Sequence, residues 1–286
     1  MMSAAEKVGF KPLHEAHAIE TVVVSVQFQQ PLPDDVLRAA FQVADSFHEH
    51  LSGKQEMRSM GVRIGPDGVS QMPSQATSVP DGIARFRANP SAVTIEELRV
   101  ERQSLTYVTQ IYGGWQHFWQ HASSFINPVL TSIAASLGID TVTSYALTYI
   151  DRFVWEGEPS QCKAALLLNE STAFVSPFVL DSEDLWHSHS GQFSRVSDYV
   201  KRLMVVNLAC VNEPAQDENY NPIKKRVVRI ESSVSDVFNQ EGFLSRDAAE
   251  YNIESEINER FASLHEKQRD ILQNILNKNM LKKIGM

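Results

Sequence analysis

Cysteine is nearly missing from this chain, with two residues, Cys162 and Cys210, in 286. Each sits in an apolar run, CKAALLL and VVNLACV. Buried free thiols are therefore expected rather than a disulfide framework, and with them a cytoplasmic location. Positive charge is also short. Lys and Arg number 26 against 35 Asp and Glu, a net charge of −9, whereas a duplex-binding protein needs clustered cations to release counterions from phosphate. Two basic clusters, Lys224-Lys225-Arg226 with Arg229 and Lys278 with Lys282 and Lys283, read as solvated ends of a strand and a helix, so nucleic acid is not an expected partner. No run approaches the roughly 18 apolar residues of a spanning helix. The opening MMSAAEKVGFKPLHEAH has no continuous apolar segment of the kind a signal peptide carries, and no membrane association is expected.

Familiar chemical motifs are missing as well. The chain has no G-x-S-x-G elbow, no Walker loop and no dinucleotide G-x-G-x-x-G. Its acidic clusters, Asp181-Ser182-Glu183-Asp184 and Glu213 with Asp217-Glu218, lack the ligand spacing of a calcium loop. No cofactor and no metal are expected.

What is present is a full core, 43% apolar, enough for one large domain or two lobes. Ile19–Phe28 (IETVVVSVQF) reads as a strand ending at QQPLP. From Asp34 the apolar residues recur at helical spacing up to Leu51. Strand-like MRSMGVRI follows, with Gly65-Pro66-Asp67-Gly68 as a hairpin turn. Three more strands are expected around residues 83–87, 93–102 and 105–111. Gly113-Gly114 opens a second helix whose stripe contains Trp115, Phe118, Trp119, Ala122, Ile126 and Val129, and Pro128 should kink or divide it. TVTSYALTYIDRFVW is a long strand, and CKAALLL fits a short helix or a strand. Residues 185–196 and 200–211 are antiparallel partners, the latter a central strand covered on both faces. Residues 223–234 form another strand, and one helix runs from Ser245 to about Asn277.

Runs of strands closed by helices indicate an α+β fold, mainly antiparallel sheet backed by long helices. Two lobes of similar plan are expected, residues 1–156 and a β-meander with a long helix at 157–286.

Four stretches carry a resemblance. KPLHEAHAIETVVVSVQFQQP, YGGWQHFWQ, ALTYIDRFVW and LHEKQRDILQNILNKNMLKKIG occur in that order. The chain resembles a sporadically distributed bacterial family of about this length, with a P-L-x-E-A lead-in, a Y-x-x-W-x-x-F helix start and a closing L-H-E helix. The resemblance implies a bacterial cytoplasmic protein with an accessory role in defence or mobile-element biology, and it carries over no catalytic residue.

Eight of nine histidines fall in close pairs. His14 and His17 are one residue short of the H-E-x-x-H spacing, and His48 and His50 point apart near a helix end. His117 and His121 share a helix face opposite the tryptophans, where a solvated role is expected. His187 and His189 in DLWHSHSGQF project from one face of a strand and are the best ligand-binding candidates. A catalytic zinc usually needs three protein ligands, so these histidines do not make a metal site alone. Arg152 is the third candidate. On an apolar strand it needs an acidic partner, which Asp151, pointing to the opposite face, does not supply. The leading expectation is a non-enzymatic interaction protein that binds another protein or its own copy. The alternative is a ligand sensor or hydrolase with His187 and His189 in a cleft.

Overall fold

A computed structural model describes residues 8–58, 60–65, 68–73, 79–138, 141–216, 220–239 and 252–286. The fold is α+β, as the order of strand runs and helices implies. Its centre is one ten-stranded sheet. The strands are β1 (Gly9–Pro12), β2 (Ile19–Phe28), β3 (Gly53–Met57), β6 (Gly82–Ala88), β7 (Thr94–Glu101), β8 (Ser104–Thr109), β9 (Val142–Glu156), β10 (Trp186–Arg195), β11 (Val200–Gln216) and β12 (Pro222–Phe238). They run in the order β10-β11-β12-β9-β2-β8-β7-β6-β3, with β1 on the far end of β9, and each ladder is antiparallel. A separate hairpin pairs β4 (Met60–Gly65) with β5 (Gly68–Pro73), Gly65 opposite Gly68. Residues 66 and 67 of the expected turn lie outside the described residues.

The two expected lobes share this sheet. Strand β9 of the first half hydrogen-bonds β2 on one flank and β12 of the second half on the other. The boundary expected after Glu156 falls at the end of β9, and no ladder is broken there.

Period-two alternation places one set of side chains from each central strand in the core. On β9 this set is Tyr145, Leu147, Tyr149, Asp151, Phe153 and Trp155, all buried. Three helices cover that face: α1 (Asp34–Asp45), α2 (Trp115–Leu137) and α4 (Ile253–Ile275). Pro33 and two acids in the first turn start α1. The Asn252 side chain accepts from the backbone N–H groups of Glu254 and Ser255 to cap α4. The stretch from Ser245 to residue 251, where this helix was expected to begin, lies outside the described residues. Helix α2 runs through Pro128 without dividing. Phe125, Ile126, Val129 and Leu130 are buried on either side of it, and that packing outweighs the lost N–H bond of one proline. CKAALLL forms neither an extended strand nor an α-helix: Ala164–Leu166 is a short 3-10 turn, preceded by another at Pro159–Gln161, and Leu168 makes an isolated bridge to Leu276. Two short helices, α3 (Pro177–Leu180) and α5 (Lys278–Lys283), are the remaining α-helices among the described residues.

One polar group anchors α4 to the sheet. Gln268 is 1% exposed; its amide donates to Leu147 O at 2.7 Å and Ser232 O at 2.8 Å, and its carbonyl accepts from Ser232 Oγ at 2.5 Å. No helix among the described residues is long and apolar enough to cross a membrane.

Candidate functional site

The pairing along one flank of β9 is interrupted. Pro12 of β1 lies opposite Phe153 and Ile19 of β2 opposite Asp151. Between them the loop of residues 13–18 leaves the ladder at Arg152, held by Leu13 N to Arg152 O at 3.0 Å and Arg152 N to Ala18 O at 2.8 Å. Beneath that loop, between the sheet and α4, is a cavity of about 220 Å3, the room of about seven liquid-state waters.

Its walls come from six places in the chain, with Ser232 the contribution of β12. The loop supplies Ala16 and His17, the lead-in to α2 supplies Tyr112 and Trp115, and β9 supplies Tyr149 and Asp151. Helix α4 supplies His265 and Arg269, one turn apart, and residues 284–286 close one side. Gly114 makes the α2 contribution possible. Its φ of 94° and ψ of 157° belong to a region essentially restricted to glycine, and this turn lets Tyr112 and Trp115 both line the cavity.

The side chains form a connected aromatic wall. Trp115 stacks on His265 with centroids 4.3 Å apart and planes within 2°. Tyr149 Oη and His265 Nδ1 share a hydrogen bond at 3.0 Å, and Tyr112 meets Tyr149 edge to face with centroids 5.9 Å apart. Burial, helped by the nearby Arg269 charge, pushes His265 down to about 4, so it is neutral at pH 7. His17 is lowered by burial and by His14. Burial also raises Tyr112 and Tyr149, which stay protonated.

Asp151 stands apart from this network. It is 1% exposed, and its Oδ1 has no hydrogen-bond partner among the described residues. Desolvation alone pushes its carboxyl up to about 7. Gln268 and Ser232, which also line the cavity, spend their polar atoms on each other and on the strand backbone. The cavity therefore presents one unsatisfied acid among neutral aromatic and imidazole groups. A buried polar group without a partner costs about 1–3 kcal/mol, and such costs concentrate at functional sites.

The residues singled out from the sequence lie elsewhere. His187 and His189 are exposed, on the sheet face opposite the helices, with His189 Nδ1 hydrogen-bonded to Asn207 Oδ1. Arg152 shares that outer face. The register runs His187, Ala209, Arg229, Arg152 across four adjacent strands, which separates His187 from Arg152 by roughly 14 Å of strand spacing. Arg152 finds its acidic partner on β11, Nη2 to Glu213 Oε2 at 2.5 Å, with Glu20 at 4.0 Å. Arg229 contacts the same two glutamates at 3.1 and 3.6 Å. The sheet thus separates these three residues from the cavity.

A second polar cluster was not legible as one. His121, expected on a solvated face, reaches Glu96 Oε1 at 2.5 Å. Glu96 also accepts from Tyr107 Oη at 2.5 Å and from Arg87 at 2.5 and 2.9 Å. Burial would raise this carboxyl, but hydrogen bonds from His121, Tyr107 and Arg87 outweigh it and hold it at about 2. All its acceptor capacity is engaged. Among the described residues no group of three or more His, Cys, Asp or Glu side chains could hold a metal ion.

The signal for Asp151 was present in the strand pattern, as an acid in the inward-facing set of an otherwise apolar strand. Tyr112, Trp115 and His265 belong to the quoted motifs, but their meeting depends on contacts between distant segments. No family model matches this chain, and no curated protein matches it in sequence.

Proposed function

We propose that this protein binds a small molecule in the cavity between β9 and α4. The carrying observation is Asp151, fully buried, facing the cavity and lacking a partner for Oδ1. Ligand sites combine aromatic walls with a few polar groups that fix orientation, and Tyr112, Trp115 and Tyr149 with Asp151 fit that description. This reading retains the ligand-sensor alternative but places its site at Asp151 and His265 rather than at His187 and His189. Ligand-observed NMR with a library of small fragments tests it. Fragments should bind the wild-type protein and be displaced by filling the cavity with Leu272→Trp. Binding that survives the filled cavity, or an absence of any binding, removes this reading.

A second reading, association with a protein partner or a second copy, is supported by the β10 edge. This strand closes the sheet and carries Phe193, 65% exposed; an uncovered edge strand is a template for pairing with another chain. Sedimentation velocity tests self-association. A dimer that Phe193→Lys dissociates supports it, and a monomer at all concentrations removes the two-copy form. The acidic composition and the two reduced cysteines support a cytoplasmic location.

A further inference from the structure

We infer that the ligand of this cavity is a small organic ammonium ion with at least one N–H, which donates to Asp151 Oδ1 while its hydrocarbon body lies against Tyr112 and Trp115. The inference rests on the cavity being a ligand site and adds the chemical class.

Three observations carry it. First, Asp151 Oδ1 is buried with no hydrogen bond among the described residues, and once the carboxyl is ionised it can only accept, so a ligand of the ionised form must bring a donor; His17 Nδ1, also on the wall, is likewise unpartnered. Second, no fixed cation on the wall neutralises Asp151. The titratable and charged groups facing it are His17 from the loop, Tyr112 from the α2 lead-in, Tyr149 beside it on β9, and His265 and Arg269 from α4; Ile284, Gly285 and Met286 bring no titratable side chain. Both tyrosines are protonated and His265 is neutral. Arg269 is exposed at the rim, its guanidinium 3.8 Å from Glu266. Third, the wall next to the acid is built of aromatic side chains, Tyr112, Trp115 and Tyr149, which offer apolar surface to the hydrocarbon body of a ligand.

An organic ammonium satisfies all three conditions at once, since it supplies the donor, the missing countercharge and a hydrocarbon body for the aromatic wall. A neutral alcohol supplies only the donor. A quaternary ammonium supplies charge without an N–H. At pH 8 a carboxylate would meet the ionised Asp151 with like charge. The volume of about 220 Å3 lies below the roughly 300–1,000 Å3 of drug-sized pockets, which limits the ligand to a compact amine.

Because Asp151 holds its proton in the empty cavity up to about pH 7, binding of a cation expels that proton. Affinity should rise about tenfold per pH unit between about pH 5 and 7, then level off.

The probes are 2-phenylethylamine, the isosteric 2-phenylethanol, the N,N,N-trimethyl derivative of the amine, and 3-phenylpropanoate, measured by titration calorimetry on the full chain. At pH 8 the primary amine should bind at least about tenfold more tightly than any of the other three, the advantage given by a charge-assisted hydrogen bond. At pH 6 its binding heat should vary with the ionisation enthalpy of the buffer, reporting close to one proton released. Asp151→Asn should reduce the amine to the level of the alcohol. Equal binding of amine and alcohol, or of amine and trimethyl derivative, overturns the inference, as does an amine preference that Asp151→Asn retains. Failure of all four probes overturns it too. Alcohol or carboxylate binding at least as tight as that of the amine, and blocked by Leu272→Trp, would leave the cavity as a ligand site while refuting the ammonium class, so the two conclusions fail separately.

Discussion

Replacing Asp151 with asparagine should stabilise the empty protein, by an amount set by pH. The ordinary carboxyl value is 3.8, and burial pushes Asp151 up to about 7. Below pH 3.8 both folded and unfolded chains carry the protonated acid, and the group contributes no pH dependence. Between there and pH 7 the unfolded chain gives up this proton while the folded chain keeps it, so stability falls as pH rises. Above pH 7 the folded protein carries a buried anion and the full penalty is reached. At 1.36 kcal/mol for each pH unit separating the two values, the penalty approaches about 4 kcal/mol. Water entering the cavity would reduce it, so a measured gap of about 2–4 kcal/mol is expected. Asparagine has nearly the same shape and cannot ionise. Urea unfolding of both proteins at steps from pH 4 to pH 8 measures the difference, provided the two slopes agree. The gap in favour of Asp151→Asn should open steadily and flatten above pH 7. A gap independent of pH, or a wild-type protein that is the more stable at pH 8, would mean that the carboxylate is solvated or paired in the folded state, and the reasoning about the cavity would fall with it.

Glu96 behaves in the opposite sense. Its folded value of about 2 against 4.5 gives stability that is complete above pH 4.5 and lost as pH falls toward 2. Glu96→Gln should cost about 1–2 kcal/mol at pH 7, discounted because Arg87 and His121 reach it from exposed positions, and the cost should fade by about pH 3 in acid unfolding. Gly114→Ala should cost about 1–3 kcal/mol through backbone strain and quench or shift the Trp115 fluorescence, whereas Gly113→Ala, whose added methyl meets only His117 Cβ at 3.9 Å, an ordinary contact, should do neither. The His187→Ala and His189→Ala pair, being exposed, should change stability by no more than about 0.5 kcal/mol in urea titrations. Arg152→Ala should cost about 1 kcal/mol, since Arg229 still contacts both glutamates, and a larger loss would show that Arg152 does more than share that network.

The sheet was legible because it repeats one rule over many residues. TVTSYALTYIDRFVW alternates along its whole length, and the partners of 200–211 and 185–196 follow from a short turn between two β-rich runs. Helix starts at Asp34 and after Gly113-Gly114 were equally local. The cavity was not local. Asp151, Trp115 and His265 lie in β9, α2 and α4, and no periodicity within one segment states which inward-facing side chains will meet across layers. Arg152 drew notice as a charge on an apolar strand, while its neighbour Asp151 was assigned only a direction. Direction was the informative fact, because the arginine faces a side where glutamates and water are available and the aspartate faces the core. His187 and His189 stood out through adjacency in sequence, which in a strand fixes a shared face and says nothing about depth.

Gln268 sets the height of α4 above the sheet. Were the helix to slide one turn along its axis, about 5.4 Å, Leu264 or Leu272 would arrive at the position of the amide. Hydrocarbon would then abut two strand carbonyls and a serine hydroxyl, each left dry at a cost of about 1–3 kcal/mol. The helix consequently has one seat rather than a row of equivalent ones. His265 and Arg269 travel with it, so the distance between the imidazole wall and the carboxylate of β9 is decided by an amide that need not touch the ligand.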